Sequence, residues 1–182
     1  MSRLNPIDPA TATGKAKQLL DGVQAKLGIT PNMMKAMAQS PAVLDGYLSL
    51  SNALAHGSFN AGYREELALT VAEANGCEYC LSAHTAFGSL AGLQPEQLEN
   101  ARLAKDPNHK NAAGLLFAKR VNETRGEISE ADFATVRAAG FSEGEIAELL
   151  AHVALNVFTN YFNIAAATEV DFPRVKPATA GL

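Results

Sequence analysis

Tryptophan is absent from this 182-residue chain, and only two cysteines and four histidines occur in it. The cysteines are three residues apart, too close to close a loop that would staple a fold, so a disulfide-built scaffold is excluded. No cluster of lysine and arginine interrupts a net charge of −4, which argues against nucleic acid as a partner. No apolar run reaches ~18 residues without polar interruption, so no membrane span is expected. The stretch that comes closest, 153–167, contains Asn156, Thr159, Asn160 and Asn163. The opening MSRLNPIDPATATG lacks an apolar core after Arg3, which gives the expectation of no secretory signal and a cytoplasmic location. No segment alternates apolar and polar residues as a strand would, so the expected fold is all-α in one domain, 1–182. The length and the 47% hydrophobic content suit a single substantial core, and abundant alanine suits close helix packing.

What the chain does have is concentrated in Glu65 to His84, EELALTVAEANGCEYCLSAH. Cys77 and Cys80 form a C-x-x-C pair, His84 follows Cys80 by four residues, and Glu65 precedes Cys77 by twelve. Asn75-Gly76 ends one helical pattern, and a second runs from Cys77 to Ala91 before Gly92. The cysteines therefore fall at the opening turn of a helix, where free N–H groups and the helix dipole favour a thiolate. Cys77, nearer the helix start, feels that field more and is expected to be the more exposed. Cys80 and His84, at i and i+4, share a face, and a histidine there can take the thiol proton. Glu65, from the preceding helix, is placed to orient or recharge the imidazole.

The remaining pattern is helical throughout. Residues 1–11, with Pro6 and Pro9, read as an extended arm; 12–27 as a helix ended by Gly28; and Thr30-Pro31 as the cap of a short helix holding Met33, Met34 and Met37. Ser40-Pro41 opens a helix to His56-Gly57, and Asn60 caps another to Asn75. Pro95 begins a short helix, Asp106-Pro107 caps one to Thr124, and Ser129 begins one ended by Gly140. Ser142-x-x-Glu145 is a capping box for a long last helix to Thr168. Residues 171–182, with Pro173 and Pro177, read as an irregular tail. A shift of 79 residues lays Cys77, Cys80 and His84 on Asn156, Thr159 and Asn163, a faint sign of a degenerate helix-pair repeat. Between His152 and Thr168 no residue is charged, and His152, Asn156, Thr159 or Asn160, and Asn163 form a polar stripe. Uncharged polar groups at this spacing suit a face hidden from water, either inside the chain or at a subunit contact.

The pattern Glu65-x11-Cys77-x2-Cys80-x3-His84 resembles the AhpD-like alkylhydroperoxidases of the carboxymuconolactone decarboxylase superfamily. SPAVLDGYLSL ahead of it and LNVFTNYFN near the end extend the resemblance over most of 30–175. It implies an all-α helical bundle and a thiol peroxidase acting on hydrogen peroxide or small organic hydroperoxides without a cofactor or a metal. Cys80 would be the peroxidatic cysteine and Cys77 the resolving one, with Glu65 and His84 relaying the proton. A dithiol, on a lipoylated or thioredoxin-like protein, would reduce the resulting disulfide. It also implies a homo-oligomer, a trimer or hexamer, with the last helix at or beside the contact. The best-known members carry a histidine directly before the second cysteine; here Tyr79 stands there, read as a gate or site-lining residue.

Three other readings of these residues compete. Zinc could be held by Cys77, Cys80 and His84 with His56 or Glu65, although no second cysteine pair exists to complete a usual structural site. Decarboxylation of a muconolactone-like acid is suggested by the superfamily alone and would not need cysteines. A non-enzymatic redox sensor would use the same disulfide as a switch. Glu66 competes with Glu65 for the carboxylate role, and only the offset selects Glu65. Tyr47, Phe87 and Phe117 are candidates to line an apolar channel.

Overall fold

The centre of the fold is a helix with no wet side. In this computed structural model, which describes residues 2–178, all eight residues from Glu66 to Thr70 and on to Glu73 are buried. A helix buried around its whole circumference belongs in the middle of a bundle. This one, α4 (Ala61–Ala74), packs against four others: α5 (Glu78–Leu90), α6 (Pro95–Arg102), α7 (His109–Thr124) and α9 (Glu143–Ala166). It divides two apolar cores. Leu69 and Ala72 join Leu20, Met37, Leu44 and Leu81, contributed by α1 (Gly14–Leu27), α2 (Asn32–Met37), α3 (Pro41–Ala55) and α5. Leu67 and Val71 join Leu115, Val136, Ile146 and Leu149, contributed by α7, α8 (Glu130–Ala138) and α9. Each fully buried leucine is worth roughly 1.5–3 kcal/mol of transfer free energy, so losing a leucine from α4 damages one core directly.

The nine helices among the described residues include no strand, as the pattern predicts. Among the described residues, no helix is long and apolar enough to cross a membrane. Asn60 caps α4 by accepting from the Tyr63 N–H at 2.9 Å, and Ser129 and Ser142 close capping boxes with Asp132 and Glu145. Two caps differ from expectation. Thr30 does not cap α2; its hydroxyl turns to Gln24, and the carboxylate of Asp171 accepts from the Asn32 N–H at 2.8 Å instead. At α7 the cap is Asn108, which accepts from the Asn111 N–H, while Asp106 accepts from the N–H of Asn108 itself. The first substitute comes from 139 residues away, and the second from a neighbouring amide that competes with the carboxylate; spacing resolves neither.

The arm through residue 11 lies on the bundle, its Arg3 N–H donating to the Ala166 carbonyl at 2.7 Å and its Ile7 N–H to that of Lys35 at 3.0 Å. The irregular tail does the same, the Val175 N–H donating to the Ser82 hydroxyl at 3.0 Å. Residue 1 of the arm and 179–182 of the tail lie outside the described residues. The 79-residue shift needs correction as a helix-pair repeat. It lays α4 and α5 on α9, which is one unbroken helix. Gly76, at φ +66° where the active pair breaks, corresponds to Leu155, which has no such freedom.

On the far side of α4 from the cysteines, Glu66 is buried beside Asp106, and desolvation with that neighbouring carboxylate pushes its pKa up to about 8. The folded state thus keeps a proton that the unfolded chain releases near 4.5. Stability from this group is full below the unfolded value and is lost as pH rises toward about 8. Glu66→Gln, which keeps the hydrogen-bonding shape, should flatten the pH dependence of the melting temperature. Above pH 8 it should stabilise by on the order of 1–3 kcal/mol. Parallel melting curves of both proteins from pH 5 to 9 would exclude this role for Glu66.

Candidate active site

The junction between α4 and α5 builds the site. Asn75 ends α4, and Gly76 reverses the chain so that Cys77 becomes the N-cap of α5. The Asn75 side chain is held from both sides, donating to Asn160 Oδ1 at 2.9 Å and accepting from Asn122 Nδ2 at 3.0 Å. Three amides from α4, α7 and α9 thereby fix the start of the cysteine helix. Cys77 and Cys80 are joined as a disulfide, with their Cα atoms 5.3 Å apart. Cys77 Sγ accepts from the Cys80 N–H at 3.3 Å, the bond a capping hydroxyl would otherwise receive.

A cavity of about 770 Å³ opens on Cys80, and His84 and Glu65 line it as well. His84 Nδ1 lies 2.7 Å from Glu65 Oε2. A carboxylate can only accept, so Nδ1 carries a proton, and in the neutral imidazole Nε2 is then the acceptor. Both side chains are about one-fifth exposed, enough for proton exchange with water. Of the two carboxylates, Glu65 is the one that meets His84, and both of these residues line the cavity that Cys80 also lines. The remaining lining is largely apolar, including Leu48, Met34, Tyr47 and Phe87. Phe117 does not join it; its ring packs on Phe133 in the other core.

The expected difference in exposure between the cysteines is not found. Cys77 is 1% exposed and Cys80 2%, because α9 and the tail cover the helix start. Tyr79 is a fixed packing residue rather than a free acid. Its hydroxyl accepts from the Met33 N–H at 3.1 Å, and its ring meets Phe172 edge-on at 5.9 Å. Burial and the neighbouring Asp171 raise its pKa above the usual phenol range. Tyr47 is likewise pushed up to about 12 by burial and the charge of Glu65.

Asn163 is the site residue that sequence reasoning missed as such. Its Nδ2 donates to Cys80 Sγ at 3.4 Å and to the Met33 sulfur at 3.1 Å. Its signals in the sequence were its place in the uncharged polar stripe and the 79-residue shift, which pairs it with His84. The polar stripe on α9 is an internal feature: His152, Asn156, Thr159 and Asn163 line the cavity, and Asn160 holds Asn75. The outward face of the helix instead shows Phe158, Tyr161 and Ile164, 39–57% exposed. His152 is a neutral imidazole, held down to about pKa 4 by burial and by Arg64, with a buried Nε2 that has no hydrogen-bond partner.

The described residues form an all-helical domain with a cysteine pair at a helix start, and the second cysteine lines a cavity that a Glu–His pair also lines. Residues 41–123 match the model of the carboxymuconolactone decarboxylase family. Two peroxidase-related proteins of known structure are each 26% identical to the chain. One, from Ralstonia eutropha JMP134 and described as an alkylhydroperoxidase AhpD core, superposes with a TM-score of 0.84 over 93% of this chain and 92% of its own. The other, from Silicibacter sp. TM1040, gives 0.80 over 92% and 91%. The debrominase Bmp8, solved with 2,3,4-tribromopyrrole, shares the fold at 19% identity, with a TM-score of 0.80 over 94% and 92% of the two chains. No curated protein matches the chain in sequence. These matches support an AhpD-like member of the carboxymuconolactone decarboxylase superfamily.

Proposed function

We propose that this chain is a dithiol-dependent peroxidase for hydrogen peroxide or small organic hydroperoxides. The observation that carries the reading is the His84–Glu65 pair, 2.7 Å apart, on the cavity wall that also holds Cys80. In the reduced protein, His84 Nε2 takes the Cys80 proton through water, and Glu65 stabilises the resulting imidazolium. The Cys80 thiolate attacks the distal peroxide oxygen, the O–O bond breaks, and the leaving alkoxide or hydroxide takes the proton from His84. Cys80 is then a sulfenic acid. Cys77 Sγ attacks Cys80 Sγ, the S–O bond breaks, the departing hydroxide takes the Cys77 thiol proton and leaves as water, and the disulfide seen here is formed. An external dithiol, lipoylated or thioredoxin-like, returns two electrons. Asn163 Nδ2 supports negative charge on Cys80 in both halves of the cycle. The apolar part of the cavity suits the alkyl group of an organic hydroperoxide. A homo-oligomer, trimer or hexamer, would use the exposed aromatic face of α9 rather than its polar stripe.

The test is multiple-turnover consumption of hydrogen peroxide and of an alkyl hydroperoxide, each with a small dithiol present. Turnover that requires both substrates is expected. Thiol oxidation without turnover would support the redox-sensor reading, and turnover of a muconolactone-type acid without peroxide would support decarboxylation.

A further inference from the structure

The two cysteines of the disulfide line different spaces. Cys80 lines the large cavity and Cys77 does not; Cys77 lines a second pocket of about 400 Å³ and Cys80 does not. Tyr79 and Asn163 line both and form the partition between them. His84 and Glu65 face only the first. The second pocket lies between the start of α5 and the end of α9, with the Arg174–Glu78 ion pair, 2.8 Å long, among its lining residues. Two buried polar atoms on its wall have no hydrogen-bond partner: the hydroxyl of Thr168, a residue 9% exposed, and Oδ1 of Asn163, a residue 3% exposed.

We propose that the reductant enters on this second side and attacks Cys77, so that peroxide and reductant use opposite faces of one disulfide. The proposal rests on the dithiol cycle above and adds where its reducing half takes place. The direction of attack follows from which leaving group is stabilised. A thiolate of the dithiol forms a bond to Cys77 Sγ, the S–S bond breaks, and Cys80 leaves as a thiolate. Asn163 Nδ2 already donates to that sulfur at 3.4 Å, and His84 shares its cavity. The second thiol of the reductant then attacks its own sulfur in the mixed disulfide and closes a reductant disulfide. Cys77 leaves as a thiolate that keeps the Cys80 N–H at 3.3 Å. Two electrons pass from the dithiol to the protein disulfide, and the two thiol protons of the reductant end on Cys77 and Cys80. Attack from the large cavity would instead fall on Cys80 and expel Cys77, and the reductant would have to occupy the peroxide's place.

The test needs no peroxide, so its failure is distinct from failure of the peroxidase reading. The oxidised wild-type protein is mixed with glutathione, a monothiol that leaves the mixed disulfide in place. The freed cysteine is alkylated at once, and peptides are mapped by mass. Glutathione on Cys77 with the alkyl group on Cys80 is expected; glutathione on Cys80 overturns the proposal. A second measurement uses Thr168→Leu, which fills the pocket. Reduction of its disulfide by a small dithiol should slow roughly tenfold relative to oxidation of the reduced protein, a barrier change of ~1.4 kcal/mol. Equal slowing of both halves, or of neither, overturns it. Should the variant not fold, the mapping on the wild type decides alone.

Discussion

Replacing either cysteine by serine should abolish multiple-turnover peroxide consumption, reducing it to the uncatalysed background. The two variants should nevertheless differ in a single turnover. Cys77→Ser keeps Cys80 in the cavity with His84 and Glu65, so it should consume one equivalent of peroxide and stop at a sulfenic acid that can be trapped. Cys80→Ser keeps only Cys77, which lies on the other side of the partition with no histidine beside it, and should consume none at a comparable rate. Quantifying peroxide consumed per chain, with mass detection of the trapped acid, reads both results. Full turnover in either variant rejects the two-cysteine cycle. A sulfenic acid trapped only on Cys77 transfers the peroxidatic role to it.

His84→Ala should slow oxidation of the reduced protein by ~10²–10⁴-fold, toward the low end because a thiolate, once formed, is a strong nucleophile. Glu65→Gln should cost less. It removes the charge that steadies the imidazolium but leaves the Nδ1 hydrogen bond an acceptor, so its action is through His84. The more decisive readout is the pH profile. Without the histidine, the acid limb of the rate should move toward the titration of an unassisted thiol, at pH ~8.5. Stopped-flow oxidation across pH 5–9 measures it. Profiles that coincide for the wild type and both variants would remove the relay from the mechanism, while circular dichroism verifies that the folds match.

Much of this was legible before any coordinates. Helix ends written in local chemistry came out as read: Asn60, Ser129 and Ser142 cap their helices, and Gly28 and Gly140 follow the ends they mark. Those caps satisfy backbone groups within a turn, so the information lies within four residues of sequence. The Cys80–His84 relation was legible for the same reason, since i and i+4 on one helix need no tertiary knowledge. Asp171 capping α2 across 139 residues, and Asn108 displacing Asp106 at α7, were not. The first depends on where the tail lies, the second on a competition between neighbouring carboxylate and amide caps that spacing does not resolve.

The choice between Glu65 and Glu66 shows where the boundary falls. Both sit in the first turns of α4, one residue and about 100° apart around the helix axis. Sequence supplied the offset from the cysteines and the α5 histidine that a carboxylate could serve. Only the packing of α4 between two cores decided that Glu65 faces the cavity and Glu66 is buried against Asp106. The same holds for α9. Its sequence determined that an uncharged polar stripe must be hidden from water, because unpaired buried amides are costly wherever they lie. Whether the chain itself or a second copy would hide that stripe was open. The fold answered by turning Asn160 onto Asn75 and Asn163 onto Cys80. The two spaces on either side of the disulfide belong wholly to tertiary structure. A helix start has no inside or outside until α9 and the tail are laid across it, and it is their packing that gives Cys77 and Cys80 different surroundings.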